Sequence, residues 1–349
     1  MWGRCPARRR ERGSPPAAAP LGRRRQERLV RIALGRALVE VAVLLLALAW
    51  LSAPAAAGPD LPPVSARPPL GPRPAVLWYP GFAREAALRA AWVSALDHER
   101  RYDYLKAAQI FELLIAQAPE EPHTYWRIAR DYAWLAELSP ALDVEMRARY
   151  GTLAMAWADR GLAIDTRCGE CCFYKYAGMG RVAMAHGILS SMRWLKQISQ
   201  TLDRCMQTPP AFVHEAWNPE LGNFYYAAAA FYRMLPDSRM LEMSIGTRGD
   251  PHRSLELSRR AVALADQRVD YNVGLGASLL CVGRSDDREE LVTEGRAVLQ
   301  RVPGLRDRMP TDPLDRRAAR RLLEQPERAC GYSRDDWNDG GKPLAKRGE

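Results

Sequence analysis

The chain has 349 residues, 47% of them hydrophobic, which is long enough for two ordinary domains or one extended helical array. Its formal net charge is +10, but residues 1–57 alone carry 11 arginines against three acidic residues, a net charge of +8. The rest of the chain therefore carries only +2, which argues against a nucleic-acid-binding surface on the main body.

The first 57 residues have the features of an export signal. An Arg-rich stretch precedes a continuous apolar run from Val41 to Leu51. This run is shorter than the roughly 20 residues of a membrane-spanning helix. Ala55-Ala56-Ala57 fits an A-x-A cleavage site, so we predict export by the general secretory route and cleavage after Ala57. An uncleaved membrane anchor formed by residues 37–57 is the alternative, and membrane contact is expected only in that case.

The remainder divides into three parts by composition. Residues 58–82 are rich in proline, which predicts an extended linker. Residues 83–328 have helical periodicity and form the predicted helical domain. Residues 329–349 are polar and contain glycine, which predicts a flexible C-terminal tail.

The stretch from Tyr102 to Tyr132 decides the predicted fold class. Ala107 stands four residues before Phe111, and Pro119 ends that helix. The second half of the pattern consists of Tyr125, Ile128, Ala129 and Tyr132. This spacing is typical of a tetratricopeptide unit, because a small residue lets two helices approach closely and the aromatic residue fills the groove beside it. We predict an all-α fold of tetratricopeptide-like antiparallel helix pairs in a curved array. An ordinary antiparallel helix pair is the alternative.

Helical periodicity continues along the domain, and no alternating, β-branched strand pattern interrupts it. Asn218-Pro219 and Asp250-Pro251 are predicted cap and first-turn signals. The predicted helices are Arg84–Arg101, Tyr104–Gln117, Pro122–Leu138, Leu142–Asp165, Cys171–His186, Gly187–Met206, Asn218–Met234, Asp250–Ala265, Val269–Val282, Asp286–Arg301 and Asp312–Gln325.

One helix presents a candidate binding stripe. Trp126, Arg130 and Trp134 are spaced four residues apart, which places them on one face of the third predicted helix. In tetratricopeptide arrays the first helix of each pair lines the concave groove, so this stripe can hold a peptide or ligand through apolar and Arg contacts. The alternative is that these side chains pack against a neighbouring helix.

The cysteines provide the sharpest chemical motif. Six remain after the predicted cleavage, namely Cys168, Cys171, Cys172, Cys205, Cys281 and Cys330. The C-x-x-C at Cys168 and Cys171 is typical of a redox pair or half a zinc site. The sequence has no second C-x-x-C or H-x3-H for zinc, and no βαβ pattern for a thioredoxin-type site. We expect one or two structural disulfides, with Cys168, Cys171, Cys172 and Cys205 as candidates. Buried thiols and a redox or metal role are the alternatives.

Other catalytic and metal signatures are absent from the sequence. The five histidines are scattered, and none has a metal-ligand spacing. There is no G-x-S-x-G motif and no phosphate-binding glycine loop. We therefore predict no catalytic residue, no metal and no cofactor.

Four short segments resemble a known family. They are Trp126-Arg127-Ile128-Ala129-Arg130, Phe173-Tyr174-Lys175-Tyr176-Ala177, Gly246-Thr247-Arg248-Gly249-Asp250, and Tyr271 through Gly283. Over roughly Arg84 to Leu305 the chain resembles the T component of TRAP-type transporters, a periplasmic tetratricopeptide-like α-protein related more distantly to the regulator-of-microtubule-dynamics group. The chain differs from many relatives because no lipid-attachment cysteine follows the apolar run.

The resemblance implies a binding protein rather than an enzyme. Members of the family engage the extracytoplasmic solute-binding component of a transporter and offer a cleft for an apolar ligand. We therefore expect an exported accessory or scaffold protein of the periplasm or cell envelope. Its expected partner is a solute-binding protein or a small apolar ligand, and not a nucleic acid. The alternatives are a cell-envelope scaffold unrelated to transport and a thiol-redox protein that uses Cys168 and Cys171.

Overall fold

A computed structural model describes residues 86–140, 143–186 and 188–334, with side chains for all of these except residues 188–193. The predicted signal and linker, and residues 335–349 of the predicted tail, lie outside the described residues.

The described residues form twelve α-helices and no β-strand; the single isolated bridge joins Val213 and Pro219. In chain order, α1 to α12 are Ala86–Arg100, Tyr104–Ile115, Pro122–Leu138, Val144–Ile164, Gly169–His186, Ile188–Gln207, Glu220–Met234, Arg239–Ile245, Pro251–Leu264, Val269–Ser285, Glu289–Arg301 and Asp312–Glu324. The all-α prediction is confirmed. None of the described helices has both the length and the apolar composition needed to cross a bilayer.

The helices pack mainly on their neighbours in the chain. From α1 to α6 each helix contacts the next, and the most extensive interface joins α4 and α5. Helix α7 packs on α9 and α10, and α10 packs on α11 and α12. The helical array is therefore built from adjacent pairs, as the periodicity predicts.

Small residues set the close approach of α4 and α5. A Cβ atom on Gly178 would lie 2.7 Å from the carbonyl oxygen of Gly151 and 2.9 Å from Cγ of Met155. Ala154 and Ala158, on the same helix as Gly151, are fully buried. Only residues with little or no side chain allow the two backbones to pack at this distance.

One of the two predicted cap signals is confirmed, and a third helix begins at its predicted residue. Pro122 is the first residue of α3, and the Asp250 side chain caps α9 by accepting a hydrogen bond from the Arg253 backbone N–H at 2.9 Å. Helix α7 differs, because its cap position is Pro219. The Asn218 side chain instead accepts a hydrogen bond from Nη1 of Arg268 at 2.7 Å. Asn218 therefore joins two distant segments rather than capping a helix.

All six cysteines of the described residues are paired, as Cys168–Cys171, Cys172–Cys205 and Cys281–Cys330. The four candidate cysteines thus form two disulfides, and the third joins α10 to the C-terminal segment.

The predicted flexible tail is wrong for residues 329–334. Ala329 and Tyr332 are buried, and Cys330 is fixed by its disulfide. The Arg334 side chain is also buried, with Nε and Nη2 bonded to the two carboxylate oxygens of Asp315 at 2.7 and 2.9 Å. These contacts fold the segment back onto the helices, because apolar burial and ion pairing offset the entropy of ordering it.

Candidate functional site

The predicted binding stripe on α3 is mostly inside the protein. Trp126 is 1% exposed and Arg130 is 6% exposed, whereas Trp134 is partly exposed. Trp126 and Arg130 therefore do not line an open groove in this structure, which corrects the sequence interpretation at these two positions. Trp134 remains the accessible member of the three.

Arg130 belongs to a buried cluster of charges, which we call the α3 polar cluster. Its members are Glu99, Arg127, Arg130, Asp131 and Glu220. Nη1 of Arg130 lies 3.3 Å from Oε1 of Glu99 and 3.6 Å from Oδ1 of Asp131, and Nε lies 3.4 Å from Oε1 of Glu220. Arg127 forms a second ion pair with Glu99. The cluster thus joins α1, α3 and α7 through opposite charges.

Several polar atoms of the cluster lack a hydrogen-bond partner among the described residues. They are Oε1 of Glu99, Nε of Arg127, Nε and Nη1 of Arg130, and both carboxylate oxygens of Asp131. Buried polar groups are nearly always hydrogen-bonded. Here ion pairs of 3.3 to 3.6 Å take the place of hydrogen bonds for Glu99, Arg130 and Asp131.

Burial raises the pKa values of the carboxyl groups in this cluster, whereas pairing with positive charges lowers them. Burial, followed by the neighbouring Glu99 charge, raises the pKa of Asp131 well above its usual value. Burial would also raise the pKa of Glu220, but His214, Arg130 and the Tyr174 hydroxyl outweigh it and lower the pKa to about 2. Glu220 is therefore ionised beside Arg130, whereas Asp131 holds a proton more readily than Glu220 does.

His214 lies above Glu220 and is held neutral. Its Nε2 atom is hydrogen-bonded to Oε1 of Glu220. Burial, together with the positive charge of Arg130, lowers the pKa of His214 to about 4 even though Glu220 opposes this change. The Tyr174 hydroxyl donates to the other carboxylate oxygen of Glu220 at 2.7 Å.

A loop of residues 208–219, between α6 and α7, covers this cluster; we call it the cover loop. The Phe212 ring centroid lies 5.1 Å from that of His123 and 5.2 Å from that of Trp126. The Arg127 guanidinium lies 4.8 Å from the Phe212 ring centroid and 4.7 Å from that of Trp126. The ring of His214, from the same loop, has its centroid 4.8 Å from that of Phe212. One aromatic side chain of the loop thus contacts three rings and a cation.

Polar contacts hold the cover loop in place. Oε1 of Glu170, in the first turn of α5, accepts hydrogen bonds from the backbone N–H groups of Ala211 and Phe212, both at 2.8 Å. The loop is also closed on itself, because the Glu220 N–H donates to the Phe212 carbonyl at 2.9 Å. At the far end of the loop, the ring centroid of Trp217 lies 5.3 Å from the Arg308 guanidinium.

A row of aromatic side chains connects the interior to the surface beside the loop; we call Tyr102, Tyr104 and Trp134 the aromatic row. Tyr104 stacks on Trp134 with ring centroids 5.8 Å apart, and Tyr102 lies 6.2 Å from Tyr104. Tyr102 is 41% exposed, and its hydroxyl donates to the Arg308 carbonyl. Leu138, one turn after Trp134, is 37% exposed. The predicted stripe therefore reaches solvent only at the C-terminal end of α3.

The C-x-x-C motif lies at the start of α5, away from solvent. Cys168 is 7% exposed and Cys171 is fully buried, and the Cys171 N–H donates to Sγ of Cys168 at 3.1 Å. Among the described residues, no group of three or more His, Cys, Asp and Glu side chains has the arrangement of a metal site.

Sequence reasoning did not find the partners of Trp126 and Arg130. Glu99, Phe212, His214 and Glu220 come from three separate segments, and no local spacing connects them. The one signal was indirect, because Arg127 and Asp131 stand four residues apart within an otherwise apolar part of α3. Buried charges on a helix face predict partners elsewhere in the fold, although not their identity.

Comparison with known proteins gives no relative: no family model matches the chain, and a search of curated proteins gives no significant match.

Proposed function

We propose that the chain is an exported, non-catalytic binding protein with tetratricopeptide-like helix pairs, which acts as an accessory component of a TRAP-type transporter. Its partner in this proposal is the solute-binding protein of the transporter. The binding surface is the aromatic row together with Leu138.

The aromatic row is the observation that carries the proposal. Trp134 and Tyr102 present large amphipathic rings to solvent, while Tyr104 beneath them is 1% exposed. The Arg130 guanidinium lies 5.8 Å from the Tyr104 ring and supports it from inside. Rigid aromatic residues with little entropy to lose are the side chains that contribute most at protein interfaces.

The disulfides support the proposed compartment. Three disulfides among the described residues fit an oxidising environment such as the periplasm, since cytosolic thiols are kept reduced. They also support a binding role over the thiol-redox alternative, because Cys168 is only 7% exposed and Cys171 is fully buried, whereas reactive cysteines are partly exposed.

The pairing of interior charges also supports a binding protein. Glu220, His214 and Tyr174 are bonded to one another, and Glu99 is paired with two arginines. A general acid or base must reach a substrate proton, whereas these groups reach only each other.

The proposal is tested by titrating the purified, oxidised protein with TRAP solute-binding proteins encoded by the same genome and measuring heat of binding. We expect saturable binding that Trp134→Ala weakens at least tenfold. The control Gln109→Ala changes an exposed residue of α2 outside the aromatic row and should leave the affinity unchanged. Absence of binding to every such protein, or equal affinity of the two variants, contradicts the proposal.

A further inference from the structure

We infer that the cover loop is a lid, and that the Phe212 ring occupies a site built to take an aromatic side chain of a peptide ligand. The inference rests on the proposed function, because it places a second recognition element beside the aromatic row.

The enclosure of Phe212 is specific for an aromatic ring. His123 meets the ring edge to face at an interplanar angle of 67°, and Trp126 meets it at 54°. The Arg127 guanidinium lies over the same ring at 4.8 Å. Edge-to-face and cation–π contacts both depend on the ring quadrupole, so an aliphatic side chain of similar size gains neither.

The walls of this site and its occupant differ in their exposure to solvent. Trp126 is 1% exposed and His123 is 5% exposed, and both belong to α3. Phe212 is partly exposed, and its neighbours Ala211 and Val213 are exposed. The occupant therefore comes from a surface segment, whereas the walls come from buried residues of α3.

Glu170 holds the loop at the point nearest the site. The two hydrogen bonds to Glu170 fix the backbone at Ala211 and Phe212, the point where the loop enters the enclosure. Beneath the loop, Nε of Arg127 has no hydrogen-bond partner among the described residues, although the side chain is 4% exposed. A peptide ligand supplies a ring for the enclosure and a carbonyl oxygen for this N–H, and the closed loop satisfies only the first.

When a lid competes with the ligand, only the molecules whose lid is open can bind it. The apparent affinity is therefore the intrinsic affinity multiplied by the fraction of open molecules. Removing its fastening must therefore strengthen binding, although it weakens the closed structure. An increase in ligand affinity on loss of this contact distinguishes a lid from a permanent part of the core. In a permanent part of the core, loss of the contact lowers stability and leaves the ligand affinity unaltered.

The test uses N-acetyl-phenylalaninamide as the probe and N-acetyl-leucinamide as the aliphatic control, with the full oxidised protein and binding measured by calorimetry. We expect saturable binding of the aromatic probe alone, at least threefold tighter in Glu170→Ala and at least tenfold tighter in Phe212→Ala. The matched control Asp159→Ala removes an exposed carboxylate that bonds Lys175 at 2.6 Å on α5, and it should not alter the affinity.

Each outcome decides the inference. It is overturned if the aromatic probe does not bind saturably, if the aliphatic probe binds equally well, or if Glu170→Ala leaves the affinity unchanged. Should Phe212→Ala fail to fold by circular dichroism, Glu170→Ala decides alone. If a solute-binding protein binds but the aromatic probe does not, the lid inference is wrong and the proposed function stands. If the probe binds but no solute-binding protein does, the proposed partner is wrong and the lid inference stands.

Discussion

At the scale of single residues, the third helix combines two uses of aromatic and charged side chains. Trp126 and Arg130 are spaced like a ligand-binding stripe, but both are enclosed by residues from distant segments. Trp134, two turns after Trp126, reaches solvent. The same spacing therefore serves the interior at one end of the helix and the surface at the other.

We expect Trp126→Ala to lower the free energy of unfolding by about 3–5 kcal/mol, because it empties a buried site in the largest core cluster. Trp134→Ala should cost only about 1–2 kcal/mol, since it removes one stacked, partly exposed ring. Urea unfolding with the disulfides intact measures both values. Equal losses for the two variants would show that Trp134 is as much a part of the core as Trp126.

His214 makes stability depend on pH in a defined direction. Its folded pKa of about 4 lies below the ordinary value of 6.5, so only the unfolded chain takes up this proton between these two pH values. Its contribution is therefore complete above about pH 6.5 and declines as the pH falls to about 4, by on the order of 2–3 kcal/mol.

We expect the difference in unfolding free energy between the wild type and His214→Gln to shrink over this window, as measured by urea unfolding at successive pH values. His252→Gln is the control, because its side chain is 66% exposed. A difference that stays constant from pH 7 to pH 4 would show that His214 is not held neutral.

At the scale of helices, the bounds follow from local chemistry wherever a periodic apolar face is present. Pro122–Leu138 agrees with the sequence prediction at both ends, and most other helices agree to within two or three residues. Helix α8, Arg239–Ile245, was not predicted, because it has seven residues and none of them is buried. A helix without an inner face leaves no periodic signal in the sequence.

The candidate site was predictable only in part for the same reason. Trp126, Arg130 and Trp134 share a helix, so their spacing identifies a common face. Phe212 and Glu220 reach that face through a loop and another helix, and the contacts depend on the arrangement of the whole domain. The burial of Trp126 therefore depends on tertiary contacts and cannot be predicted from local periodicity.

A matched pair of glycines on α5 tests how α4 and α5 pack. Gly178→Ala should destabilise the protein by on the order of 1–3 kcal/mol, because its Cβ atom would meet the Gly151 carbonyl at 2.7 Å. Gly180→Ala meets nothing within 4 Å and should stabilise it by up to about 1 kcal/mol through helix propensity. Thermal unfolding distinguishes the two; the same sign for both would show that the backbones are not in close contact.

At the scale of the whole described domain, the C-terminal segment joins distant parts of the chain. Arg334 pairs with Glu137 of α3, and its two hydrogen bonds hold Asp315 of α12. Burial raises the pKa of Asp315 to about 7 although Arg334 opposes the shift. The segment therefore closes onto the helices by pairing with two buried acids, of which Glu137 is also paired with Arg181.

We expect Arg334→Ala to destabilise the protein by about 3–5 kcal/mol, because it leaves the buried Asp315 without its cation and removes one of the two arginines paired with Glu137. Arg301→Ala, at an exposed position of α11, should change stability by less than about 0.5 kcal/mol. Denaturant unfolding provides the comparison. Equal stability of the two variants would mean that the segment is not fastened as described.

The most direct test of the binding role is amide hydrogen exchange of the oxidised protein, with and without a TRAP solute-binding protein that binds it. The proposed surface predicts slower exchange at residues 102–104 and at the C-terminal end of α3, with little change on α10 and α11. Protection confined to α10 and α11, or no protection anywhere at saturating partner, would contradict the proposed surface.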